Sequence, residues 1–190
     1  MRLAPGPPPE RQRLPRPRVL APPARWTWLA TVVEAGPNRN GEVIATASLA
    51  ELAALLLGVP VRWALDRDRD LVHPPRGHDP ESEQFRVGAI ESAQARPWTV
   101  NAIVKLDPEC GRLQAALDKM YMRGVLRWQL GLSLVADVVR EQESPQRAPV
   151  ITRWLRVKAV NIVRVPASGA ARFHRPAEPG EQCGPQEAGR

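Results

Sequence analysis

Residues 123–139 constrain the fold most, because apolar side chains fill this stretch with few interruptions. Gly124 ends a helical pattern, and the residues that follow suit a strand, in which successive side chains point to opposite faces. One predicted face carries leucines, and the other carries Gly131 and Ser133. Because Gly131 has no side chain, another backbone can approach the hydroxyl closely. Most serines in apolar strands are small polar fillers, so this pattern alone leaves the role of Ser133 open.

The composition indicates a soluble protein with a sizeable core. The chain has 190 residues, of which 43% are hydrophobic, and this is enough for one domain with extensions. No apolar run approaches the roughly 20 residues that a membrane-spanning helix needs. Prolines occupy the amino-terminal positions where a secretory signal would need an apolar segment. We therefore expect a protein that is neither secreted nor embedded in a membrane.

Composition also divides the chain into three parts. Residues 1–25 hold six arginines and eight prolines without apolar periodicity, which predicts a disordered Pro/Arg-rich extension. Residues 26–173 carry the apolar patterns and form the predicted domain. Residues 174–190 return to proline, glycine, glutamate and glutamine, which predicts a second disordered tail.

Within residues 26–173 the patterns predict an α+β domain with a mixed, mostly antiparallel sheet and two helices. Residues 85–93 and 98–106 are expected to pair with each other across a short turn. The predicted strands besides the Ser133 strand cover residues 26–34, 42–46, 59–63, 85–93, 98–106 and 150–165. Residues 66–83, polar and rich in aspartate, arginine and proline, are expected to form a long loop.

Both predicted helices have recognisable ends. Ser48 and Glu51 have the spacing of a capping box at the start of the first helix. Asp107, followed by a proline, is a suitable N-cap residue for the second helix, and Gly124 is suited to end that helix. The apolar face of the first helix is expected to comprise Leu49, Leu52, Ala53, Leu56 and Leu57.

The net charge of +7 invites a nucleic-acid function, but its distribution argues against a specific one. The arginines of residues 1–25 lie in a segment without a predicted fold, where they can contact phosphate without specificity. A metal or cofactor site is not expected. Cys110 and Cys183 form no ligand spacing, the chain has three histidines, and no nucleotide-binding fingerprint is present.

Serine hydrolysis is the chemistry that the remaining residues could support. It needs a hydroxyl, a base within hydrogen-bonding reach and a group that orients the base. Ser133 can supply the hydroxyl, and the loop of residues 66–83 holds two candidate bases, His73 and His78. The G-x-S-x-G motif of α/β-hydrolases is absent, since Leu132 and Leu134 flank the serine. Spacing alone does not choose between the two histidines.

The order of several short motifs resembles that of tailed-phage prohead (head maturation) proteases. In that family an opening turn and helix are followed by a histidine, a V-G strand, a helix, a G-[LI]-S strand and a closing D-x-V-x-x-P-A segment. The corresponding residues here are Glu34-Ala35-Gly36, Asn38 to Gly41, Gly58-Val59-Pro60-Val61, Val87-Gly88, Gly131-Leu132-Ser133 and Asn161 to Ala167. The resemblance covers roughly residues 26–173.

This resemblance implies a fold related to the herpesvirus assemblins, with a β-barrel-like core, flanking helices and no cofactor. It implies a serine endopeptidase that cleaves phage scaffold and major capsid proteins, and often itself, as a homo-oligomer inside the immature head in the host cytoplasm. Ser133 would be the nucleophile and His73 the general base, with His78 as the alternative. His73 is preferred because Leu71-Val72-His73 leaves an apolar stretch as the family's histidine does.

The chain departs from the family pattern at Asn161, where similar sequences carry an acid. An acid orients the imidazole and stabilises its cation, whereas asparagine can orient the ring but cannot neutralise charge. Activity at a reduced rate is therefore expected. The alternative is a catalytically inactive relative that serves as a scaffold or core protein of the phage head.

Overall fold

The computed structural model describes residues 26–65, 71–72, 85–126, 130–178 and 180–183. These residues form eleven strands and two α-helices, with one 3-10 turn before the first helix. The strands are β1 (Thr27–Glu34), β2 (Gly36–Pro37), β3 (Val43–Ile44), β4 (Pro60–Arg62), β5 (Ala64–Leu65), β6 (Leu71–Val72), β7 (Arg86–Ala95), β8 (Thr99–Leu106), β9 (Gly131–Glu141), β10 (Val150–Val163) and β11 (Arg172–Pro176). The helices are α1 (Leu49–Leu55) and α2 (Gly111–Met122).

Nine of these strands form one mixed sheet, in the order β11-β1-β8-β7-β4-β10-β3-β2, with β9 as the ninth strand, paired with β10. The long strand β10 pairs antiparallel with β9 and parallel with β3 and β4, so it organises one half of the sheet. β7 and β8 pair antiparallel, which confirms the predicted pair. The fold therefore belongs to the predicted α+β class.

The sheet curls until β9 approaches the segment that leads into β11. The backbone N–H of Leu132 donates a hydrogen bond to the carbonyl of Ala171 over 3.3 Å. A Cβ atom added at Gly131 would lie 2.4 Å from that same carbonyl oxygen. The predicted close approach of a second backbone at Gly131 is therefore confirmed, and the resulting architecture is a curled half-barrel.

The core fills the inside of the curled sheet and is closed by the helices. Trp28 on β1 is fully buried, packs edge-to-face against Phe173 and donates its indole N–H to Gln114 on α2 over 3.1 Å. Leu52 on α1 and Leu117 on α2 are also fully buried. Each helix thus contributes an apolar face to a single core.

The predicted capping box at Ser48 and Glu51 is wrong, because both side chains bind β10 instead. Ser48 makes no capping bond; its hydroxyl donates to the carbonyl of Ala45 over 2.8 Å and accepts the indole N–H of Trp154 over 3.0 Å. The carboxylate of Glu51 accepts the backbone N–H of Trp154 over 2.7 Å. A buried indole N–H without an acceptor is costly, so tertiary contacts prevail over the local cap.

The predicted ends of the helices need two further corrections. α2 begins at Gly111 rather than Asp107, because the carbonyl of Asp107 accepts the N–H of Cys110 in a separate turn. Leu57 is exposed to 69%, since α1 has already ended and Gly58 turns the chain with φ of +76°. Gly124 does end α2 in the left-handed region, as expected.

The prediction that a disordered tail begins at residue 174 is wrong, because residues 174–176 belong to a strand. β11 continues to Pro176 along β1, and the fully buried Phe173 anchors it. Arg175, within this strand, forms a bidentate ion pair with Glu181, which lies beyond it, at 2.7 and 2.9 Å. This pair raises the pKa of Arg175 and lowers that of Glu181. Composition did not predict β11, because this strand forms by pairing with β1, which is distant in sequence.

Candidate functional site

Ser133 and Asn161, the two candidates that the sequence identifies on strands, lie directly opposite each other. Ser133 is on β9 and Asn161 on β10, and the antiparallel register makes them a cross-strand pair. Side chains at directly opposed positions project from the same face with Cβ atoms about 5 Å apart. Ser133 is 5% exposed and Asn161 1% exposed. The fold therefore brings together two of the residues named from the sequence.

This pair lies on the face of the sheet that points away from the core. Leu132 and Leu134 on β9, and Val160 and Ile162 on β10, alternate with the pair and pack into the core. Successive residues of a strand point to opposite faces, so Ser133 belongs to the outer face. Among the described residues, none forms a hydrogen bond with its hydroxyl.

Arg62 extends the pair into a buried polar row of three residues. It lies on β4, where parallel pairing puts it in register with Asn161. Its side chain is 1% exposed, which is rare for arginine because desolvating a guanidinium is costly. Sequence reasoning missed this residue, since an arginine at a strand end ordinarily extends into solvent. We call Ser133, Asn161 and Arg62 the polar row.

The two candidate bases, His73 and His78, lie outside the described residues. The described strand β6, of which Val72 is the last residue, lies beside β10. His73 therefore follows in sequence directly after a segment that neighbours the strand of Asn161.

The third histidine, His174, lies at a different hydroxyl. Its Nε2 is 2.7 Å from the Oγ1 of Thr31, and that hydroxyl donates to the Oδ1 of Asn101 over 2.9 Å. A hydroxyl has one proton, so while it donates to Asn101 the ring must donate to Thr31. Partial burial of the ring lowers the pKa of His174, and the positive charges of Arg172 and Arg175 lower it further. The ring acts here as a neutral donor, which does not suit a general base for Thr31.

A small cavity of about 110 Å³ lies beside Ser133 where β9 passes the end of β1. Its walls combine apolar residues, such as Val33 and Trp154, with polar ones, such as Asn38 and Ser168. At its mouth Arg140 and Glu42 form an ion pair at 2.6 Å. Because Leu132, Leu134 and Ala136 line this cavity together with Ser133, it lies mainly on the core-facing side of β9.

Other chemistry has less support in the described part of the chain. Burial raises the pKa of the Cys110 thiol, and Asp107 and Glu109 raise it further, so its position before α2 does not activate it. No group of three or more His, Cys, Asp or Glu side chains is arranged for a metal ion among these residues. No helix within the described ranges combines the length and hydropathy needed to cross a membrane.

Comparison with protein-family models, with curated proteins and with solved structures gave no match to this chain.

Proposed function

We propose that the protein is a serine endopeptidase of the phage prohead type, which cleaves scaffold and capsid proteins and itself inside the immature head. In this proposal Ser133 is the nucleophile, His73 is the general base with His78 as the alternative, and Asn161 orients the base. The curled sheet would then correspond to the barrel-like core of an assemblin-like fold, working as a homo-oligomer.

The observation that carries the proposal is the pairing of Ser133 with Asn161. The two residues belong to separate motifs of the resemblance, yet their backbones are directly opposed and both side chains lie buried on the outer face. A nucleophile and the residue that orients its base must both lie within hydrogen-bonding reach of the same imidazole, which requires them to be near each other. The position of β6 beside β10 is compatible with a base supplied by the next residue, His73.

The reaction would follow ordinary acyl transfer. The base removes the proton of the Ser133 hydroxyl while its oxygen bonds to the scissile carbonyl carbon. The carbon–nitrogen bond then breaks, and the leaving amine takes the proton from the base. Water hydrolyses the resulting ester by the same sequence. Because Asn161 cannot neutralise the imidazolium, a low rate is expected.

The test compares Ser133→Ala with two variants that each remove another buried hydroxyl. We expect the intact chain to trim itself and to react at Ser133 with a fluorophosphonate, both followed by mass spectrometry. Ser133→Ala should abolish both reactions, whereas Thr31→Val and Ser168→Ala should retain them in chains that still fold. Trimming or labelling that persists in Ser133→Ala would exclude Ser133 as the nucleophile.

The same assay identifies the base. His73→Ala should lower labelling of Ser133 by about 100-fold or more, the usual scale for loss of a general base. His78→Ala and His174→Ala should each leave it within a few-fold of the intact chain. A large loss in His78→Ala alone would exchange the roles of the two loop histidines.

A second candidate function is an inactive scaffold or core protein of the phage head. It is favoured by the neutral Asn161 in the acid's place and by the small exposed fraction of Ser133. In that case the chain would assemble with major capsid protein equally well before and after Ser133→Ala. Neither form would react with the fluorophosphonate.

A further inference from the structure

The exposed face of α2 carries three cations in one line. Arg112, Lys119 and Arg123 are all exposed, and they follow one another at spacings of seven and then four residues. At about 100° and 1.5 Å per residue, these positions lie within about 40° of one another around the helix axis and extend over roughly 16 Å. Leu113 and Leu117 are buried on the other side of the helix. We call Arg112, Lys119 and Arg123 the basic stripe.

The basic stripe has no compensating acid among the described residues, where none of its three side chains forms an ion pair or a hydrogen bond. The one acid of α2 is Asp118, which is half-buried and accepts a hydrogen bond from Gln114 over 2.9 Å. Glu109 lies three residues before Arg112, yet the two are not paired in the part of the chain that the structure describes. The stripe therefore presents its charges to solvent.

The stability of the helix does not account for this arrangement. Lys119 and Arg123 lie near the carboxyl end, where the helix dipole favours cations, but they are like charges four residues apart, which is unfavourable. Arg112 lies in the first turn, where the same dipole disfavours a cation, and that turn has no acid. The full stripe therefore favours a role in contacts with another molecule.

Apolar residues border the stripe on one side. Ala115 and Met122 are exposed, Met122 to 78%, and they lie roughly 60–80° around the axis from the stripe. A small alanine permits close approach, and an exposed methionine offers an adaptable apolar contact. Binding of a phosphate backbone needs cations alone. A helix with one acidic and one apolar strip matches both the stripe and its border.

We infer that α2 docks an acidic amphipathic helix of a partner protein, whose carboxylates pair with the basic stripe and whose apolar side chains cover Ala115 and Met122. The spacing fits a helix that runs antiparallel to α2, with its carboxylates four and then seven residues apart. Exposed ion pairs each contribute about two- to fivefold in affinity, so three pairs together contribute about tenfold, and salt weakens them. This surface is on α2, and the inference does not depend on the role of Ser133.

The test measures binding of the full-length chain to a fluorescein-labelled helical peptide by fluorescence anisotropy. The probe is rich in alanine, with three glutamates at the spacing given above and leucines beside them. A second peptide of the same composition has its glutamates spread around the helix, so it controls for net charge. We expect the first peptide to bind several-fold more tightly than the second, with an affinity that falls as salt is added.

Two triple variants separate the basic stripe from positive charge in general. The stripe variant combines Arg112→Gln, Lys119→Gln and Arg123→Gln. The control variant combines three exposed cations of other segments, Arg39→Gln, Lys105→Gln and Arg147→Gln. All six side chains are exposed, so both variants should fold, which circular dichroism checks. The stripe variant should bind the first peptide about tenfold more weakly than the intact chain, whereas the control variant should stay within about twofold.

Double-stranded DNA is the competing ligand. Met122→Ser should weaken binding of the first peptide and leave DNA binding unchanged, because phosphate makes no use of the methionine. A stripe variant that loses affinity for DNA but keeps its affinity for the peptide would overturn the inference. Equal affinities of the two peptides for the intact chain, or equal losses in the two triple variants, would overturn it as well. Labelling and trimming at Ser133 are measured separately, so failure of the proposed function is distinguishable from failure here.

Discussion

Gly131 lies where the curled sheet meets its other end, and its missing side chain is a structural requirement. A Cβ atom there would lie 2.4 Å from the carbonyl oxygen of Ala171 and 2.6 Å from the Cγ of Pro166. Neither neighbour is the free end of a flexible side chain. Gly131→Ala should therefore lower the free energy of unfolding by about 3 kcal/mol, measured by urea denaturation.

Gly169 provides the matched control for this prediction. It lies in the segment between β10 and β11, and an added Cβ atom there would meet nothing within 4 Å. Gly169→Ala should leave the free energy of unfolding within about 0.5 kcal/mol of that of the intact chain. Equal losses for the two substitutions would mean that the approach of Ala171 does not constrain Gly131.

His174 makes stability depend on pH in a defined direction. Its folded-state pKa is lowered, first by partial burial of the ring and then by Arg172 and Arg175, so the folded chain favours the neutral ring. Stability is therefore fully present above the unfolded pKa near 6.5 and decreases as the pH falls below it. We expect the melting temperature to decrease more between pH 8 and pH 5 in the intact chain than in His174→Gln. Identical pH profiles would show that the ring does not contribute.

Among the elements, the contact between α1 and β10 has the clearest energetic consequence. Ser48 accepts the buried indole N–H of Trp154, and Glu51 accepts the backbone N–H of the same residue. Ser48→Ala leaves the indole without its acceptor and should cost about 1–3 kcal/mol in urea unfolding. In Trp154→Phe that donor is already gone, so adding Ser48→Ala should cost clearly less. A loss that is the same in both backgrounds would rule out this coupling.

At the scale of the whole molecule, most of the net charge of +7 comes from the six arginines of residues 1–25. Such charge binds DNA without specificity and is sensitive to salt, because binding releases counterions. We expect any affinity for double-stranded DNA to fall steeply between 50 and 200 mM salt, measured by fluorescence anisotropy. Removing residues 1–25 should abolish it. Binding that survives the truncation would point to a surface on the folded domain.

Local sequence patterns were enough to predict several strands of the fold. Apolar and β-branched residues predicted β1 and β10 with nearly their observed bounds, and the turn between β7 and β8 was recognisable. The strand that was predicted to follow Gly124 directly begins only at Gly131, as β9. Gly131 was marked correctly as a point of close approach, because only a residue without a side chain fits there. Such features depend on neighbours in sequence, so they can be read without a structure.

Only the tertiary structure decided which helices and strands contact each other, and through which residues. Ser48 and Glu51 bind Trp154, about 100 residues away, because a buried N–H must find an acceptor. β11 forms because Phe173 reaches the core and β1 offers a free edge. The register of β4 with β10 buries Arg62 beside Asn161. Strand register and distant pairing are set by the packing of the whole core, which no local pattern encodes.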